Sequence, residues 1–230
     1  MHEVSRGTDE EADADDERGA RRWWLLPAVG LVVVVALVAG FGVGRLVGGE
    51  PAPSAGSAAA GFARDMQTHH AQAVDMSMIV RDRTTDADVR LLAYDIALTQ
   101  QHQIGQMFAW LVQWGLPQTS SQPPMRWMSA DAGHDSAEHL AESAAEPGAP
   151  MPGMATSAQM QQLAEVEGRQ AEVLFLELMV EHHRGGVAMS EAVLERAAPA
   201  EVHHLASTMV TGQQAEIDAM LGMLADRGAR

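Results

Sequence analysis

FARDMQTHHAQAVDM at residues 62–76 and FLELMVEHHRGGVAM at residues 175–189 are two versions of one block, offset by 113 positions. The offset carries Phe62, Met66, His69, His70 and Met76 onto Phe175, Met179, His182, His183 and Met189. It runs on downstream, taking Gln100, Gln101, Ile104 and Met107 onto Gln213, Gln214, Ile217 and Met220, then Leu111 and Gly115 onto Leu224 and Gly228. Repetition over that length is duplication of a whole supersecondary unit. Apolar residues at helical spacing predict four helices, over 62–80, 88–115, 168–197 and 200–228, with Gly115 and Pro117 closing the second. Two short-looped hairpins of one design pack most simply as an all-α four-helix bundle.

Steps of three and four place Met66, His70 and the residue at 73 or 74 on one helix face, with His69 and Met76 on it or beside it. Met179, His182, His183, Gly186 and Met189 repeat the arrangement. His and Met therefore stand where a bundle ordinarily puts Leu. A methionine there commonly just fills the core, and a lone core histidine is commonly a hydrogen-bonded structural residue. Doublets in both halves, each flanked by Met at the same distances, point further. Four imidazoles buried without partners would cost several kcal/mol, at about 1–3 each. Metal binding resolves that cost, and bundle interiors are where facing helices build metal sites. The candidate ligands are Met66, His69, His70, Met76, Met179, His182, His183 and Met189. Thioether sulfur favours Cu(I), imidazole accepts Cu(I) or Cu(II), and hard ions want oxygen, so copper is the expected ion, with zinc open at the histidine pairs. Ligand imidazoles must be neutral, so binding is expected to weaken below about pH 6.5.

Composition narrows the classes. The 230-residue chain has a formal charge of −16 and all 15 of its basic residues are arginine, without a basic cluster, which argues against nucleic acid as a partner. With no cysteine there is no disulfide, thiolate nucleophile or iron–sulfur site. Durable thioether in place of thiolate suits an oxidising compartment. No Ser-His-Asp signature or phosphate-cradling glycine loop is present, so a binding protein rather than an enzyme is expected. The charge run from Glu165 to Glu172 reads as a solvated face.

Residues 1–22 are acidic and poor in apolar side chains, which predicts a disordered cytoplasmic tail. Leu25 to Gly44 carry no charge and span roughly 30 Å as a helix, so residues 23–47 are expected to form a transmembrane helix, or else a signal peptide. Arg18, Arg21 and Arg22 before it, against Arg45 after it, orient the rest of the chain outward. Residues 48–61 read as a flexible linker, and 62–230 as the duplicated domain with a long loop at 117–155. Asp131 with His134, and Glu138 with His139, offer a secondary metal site in that loop.

The two blocks, with QQHQIGQM and GMATSAQMQQLAEVEG around them, resemble the domain of unknown function 305 family, over roughly Gly61 to Gly228. The resemblance implies a ferritin-like four-helix bundle outside the cytoplasm, and some members are described as periplasmic copper-binding proteins. It carries the family motif onto the same eight His and Met positions. The Gly185-Gly186 pair departs from the first half, and two glycines inside a helix suggest close approach of another segment. Two rival readings remain. A di-iron oxidase needs Glu-x-x-His on two helices, and only Glu201-x2-His204 has that spacing. A membrane-tethered interaction domain without metal needs no special residues.

Overall fold

A computed structural model describes residues 33–38, 51–129 and 147–229. The acidic tail, most of the apolar span and the loop residues Asp131, His134, Glu138 and His139 lie outside them. Within the span, residues 33–38 are helical and exposed. Among the described residues, no helix is long and apolar enough to cross a membrane. The chain divides after Pro51, and Ala52–Arg230 is a compact unit.

That unit holds α1 (Ala58–Arg83), α2 (Ala87–Gln113), the short α3 (Arg126–Ser129), α4 (Ser157–Glu165), α5 (Arg169–Leu194) and α6 (Ala200–Asp226). All its described regular structure is helical. The four long helices are those the periodicity predicts. α1 starts at Ala58, inside the segment expected to be linker, because Ser57 caps it by accepting from the Ala60 N–H at 3.3 Å. Asp86 caps α2, accepting from Asp88 and Val89 at 3.1 and 3.0 Å. Gly115 and Gly228 end α2 and α6 at φ +67° each. Bonds from Leu116 to the Leu111 carbonyl (2.8 Å) and from Ala229 to the Leu224 carbonyl (3.0 Å) close the two ends alike. The duplication thus reaches down to the caps.

α1 packs on α2, α5 packs on α6, and α1 meets α5 between the hairpins. Two apolar cores result. One gathers Met76, Val80, Val89, Ile96, Phe175, Met179 and Met220, and the other gathers Phe62, Met66, Met107, Leu111, Met189, Val193 and Val202. The 113-residue offset maps most of one core onto the other. Each core mixes both hairpins, so neither hairpin completes a core alone.

Three features differ from the sequence reading. The segment expected as a long loop contains α3, whose Trp127 packs edge-on against Phe62 (6.0 Å between centroids) and donates its indole N–H to Asp65 at 2.9 Å. Met125 donates to the same carboxylate at 2.8 Å. A Cβ at Gly61 would collide with the Trp127 ring, so glycine is what lets the segment dock. α4, at 157–165, is started by a Thr156/Gln159 capping box. Glu172 is not on a solvated face: it is buried, accepting from the Thr84 hydroxyl at 2.6 Å and from Arg227 Nε at 2.8 Å. It ties the α1 C-terminus to the α6 C-terminus.

Candidate metal centre

Between the two apolar cores the helices carry a polar belt. His69, His70, His182 and His183 are at most 1% exposed, and Gln100, Gln213, Ser77 and Ser190 are buried with them. The repeat supplies both members of every pair. α1 and α5 bring His69 and His182 face to face, with ring centroids 3.7 Å apart and planes 32° from parallel. His182 Nε2 donates to the His69 carbonyl at 2.8 Å. His70 and His183 each turn toward their own hairpin partner. His70 Nε2 donates to Gln103 Oε1, and His183 Nε2 donates to Glu216 Oε2, both at 2.8 Å.

These acceptors are a carbonyl, an amide oxygen and a carboxylate, so the bonded Nε2 carries the proton and Nδ1 keeps its lone pair. The Nδ1 atoms of all four histidines are buried without a hydrogen-bond partner. His69 is the most exposed chemically: neither of its nitrogens closes a well-formed bond, although the Pro152 carbonyl faces the ring. Both amide atoms of Gln100 and Oε1 of Gln213 are also buried and unpartnered. The belt thus withdraws four imidazoles from water, three of them with rings held from behind by the Nε2 bond.

Burial dominates the electrostatics. It holds His69 and His182 well below the ordinary imidazole range, and the neighbouring histidines push in the same direction. Burial lowers His70 to about 3, opposed in part by its bond to Gln103. Burial therefore keeps His69, His70 and His182 neutral below pH 6.5 in the folded protein. For these three, proton competition is expected to set in at lower pH than for a free imidazole, because desolvation disfavours the charged form.

The methionines of the motif are all fully buried. Met66 and Met189 share one core and Met76 and Met179 the other, so the fold pairs each methionine with one from the opposite block. Met66 precedes His70, and Met179 precedes His183, by one helical turn, which makes them neighbours on the helix surface at the edge of the belt. Among the described residues, no three His, Cys, Asp or Glu side chains gather as a metal-holding group. Glu201 and His204, the spacing relevant to di-iron chemistry, face solvent.

The glycine pair has a direct explanation. A Cβ at Gly185 would collide with the Pro152 carbonyl oxygen, and one at Gly186 with the Gln213 side chain. At the position equivalent to Gly185 the first half has Gln72, whose amide clasps Ala155 twice, at 2.8 and 2.7 Å. The same strap, residues 151–155, is thus fastened to α1 and recessed into α5. It brings buried Met151 and Met154 in, and these belong to neither apolar core. Gln103, Glu216 and the strap were not legible as site residues. The first two stand 33 positions from their histidines and align with one another only through the offset.

Comparison with known proteins agrees with this architecture. The family model described as "Domain of unknown function (DUF305)" matches residues 59–224. A candidate secreted DUF305 protein from Streptomyces coelicolor is 50% identical, over 77% of this chain and 98% of its own, with a TM-score of 0.67. A DUF305 fragment from Deinococcus radiodurans is 34% identical, over 77% and 99%, with a TM-score of 0.59. CopM in its Cu(I)-bound form shares the fold at 20% identity, over 72% and 94%, with a TM-score of 0.53. No curated protein matches the chain. The duplicated His-His helices and the match across both hairpins carry one conclusion: the chain belongs to the DUF305 family.

Proposed function

We propose that this protein is an extracytoplasmic copper-binding protein that holds the ion between imidazole and thioether donors, buffering or passing it on rather than transforming a substrate. The observation that carries the reading is the set of four buried, unpartnered Nδ1 atoms. A purely structural belt would leave that desolvation cost uncompensated, at about 1–3 kcal/mol per group. Residues that would hold the ion are His69, His70, His182 and His183, with Met66, Met76, Met179 and Met189 supplying sulfur. Bound there, copper would gain soft and imidazole ligands in a site closed to water. CopM, similar in fold, is known in Cu(I)-, Cu(II)- and Ag-bound forms, which is in keeping with this reading.

The four long helices suit a ferritin-like bundle, and the uncharged stretch from Leu25 to Gly44 suits a single-pass anchor with the bundle outside, or an export signal. An outside location agrees with the absence of cysteine. A donor or acceptor protein for the ion belongs to the same reading.

The test separates sulfur from packing. Met66→Leu and Met179→Leu nearly conserve volume, so stability should change by less than about 1.5 kcal/mol. Cu(I) affinity of the double variant should fall by tenfold or more, while Cu(II), less dependent on sulfur, changes less. Unchanged Cu(I) affinity in a folded double variant would show these methionines to be core only.

A further inference from the structure

The duplication is exact at the histidines and inexact behind them. His70 and His183 occupy equivalent positions, each with Nε2 bonded at 2.8 Å to a residue 33 positions downstream. The partner is a neutral amide in the first half, Gln103, and a carboxylate in the second, Glu216. We propose that Glu216 makes the second half the tighter cation site and that Gln103 leaves the first half the weaker, so the belt holds two ions of unequal affinity. This rests on the copper reading above and deepens it.

The argument is one of charge and orientation. Both partners fix the same tautomer, with Nε2 as donor and Nδ1 free toward the interior. Only Glu216 adds a negative charge. A carboxylate behind a metal-bound imidazole increases the electron density at the ligating nitrogen and offsets the charge of the incoming ion. The His183 side chain is fully buried and that of Glu216 is 26% exposed, so the pair is only partly screened by solvent. Partners of this kind typically change metal affinity by about 10–100-fold. Glu216 and Gln103 are positioning residues, acting through the imidazoles. Because the added term is coulombic, the gap between halves should scale with ion charge, making it larger for a divalent than for a monovalent ion.

Titrating the full-length chain at pH 7.5 with Ag(I), and separately with Cu(II), against a competing chelator tests this. The wild type should take up two ions in two steps about 10–100-fold apart for Ag(I) and wider for Cu(II). Glu216→Gln, isosteric and able to keep the hydrogen bond, should lower the tighter step onto the weaker. Gln103→Glu should raise the weaker step onto the tighter, a gain that a merely structural role would not produce and that needs no loss of stability to be read. Two ions bound with equal affinity would overturn the inference while leaving copper binding standing, as would a folded Glu216→Gln with both steps unchanged. A single ion shared between the halves would overturn it equally. No uptake of either ion by the wild type would overturn the copper reading together with it.

Discussion

Acidifying the metal-free protein from pH 7 to pH 5 should destabilise it by about 2 kcal/mol or more. His69 and His182 are held well below their ordinary range, and His70 at about 3, chiefly by burial. In the unfolded chain the same imidazoles protonate near pH 6.5. Between those values the unfolded state binds more protons than the folded one, so stability falls as pH falls through 6.5. The decline levels off for His70 only near 3. At pH 5 His70, held at about 3, costs about 2 kcal/mol relative to pH 7, and His69 and His182 act in the same direction. Even the His70 share is a sizeable part of the stability of a typical domain, about 5–15 kcal/mol. Asp65, whose carboxyl is pushed up by burial despite its bonds from Met125 and Trp127, acts in the opposite sense and at lower pH. Urea melts at pH 7.5, 6 and 5 should show the loss. Equal stability at 7 and 5 would mean the belt is wetter than its geometry indicates.

Copper or silver should reverse that loss. A ligand that binds only the folded state adds about 4 kcal/mol at a thousandfold excess over its Kd. For a domain of this size that raises the melting midpoint by roughly 8–16 °C. Much of the gain should persist at pH 5, because burial holds His69, His70 and His182 below the ordinary imidazole range in the folded chain. Mg²⁺, which wants oxygen ligands, should give no shift. A rise with silver that is equal in a folded variant lacking the four belt histidines would place the ion elsewhere.

The features legible in the sequence were those encoded locally or by the repeat. Helical period located α1, α2, α5 and α6, and Gly115 marked the closure of α2 as observed. The 113-residue offset singled out the histidine doublets that the fold then stacks. What escaped was tertiary. Trp127 docks through Asp65, 62 positions away, and the strap through Gln72, 83 positions from Ala155. No local pattern announces such contacts. Glu172 sits in a charged run and is buried because Thr84 and Arg227, both distant in sequence, come to it. Gln103 and Glu216 look like ordinary helix-surface residues until the hairpin turns them toward His70 and His183.

The central claim is that the belt's unpartnered nitrogens exist to hold copper. Anaerobic competition of the full-length chain for Cu(I), against a chromophoric chelator, tests it most directly beside a variant with His69, His70, His182 and His183 all changed to Ala. Tight, stoichiometric uptake by the wild type, lost in a variant whose circular dichroism is still helical, is the predicted result. A folded wild type that takes up no Cu(I), or a folded variant that binds it as tightly, would contradict the account and leave the doublets as buried structural pairs.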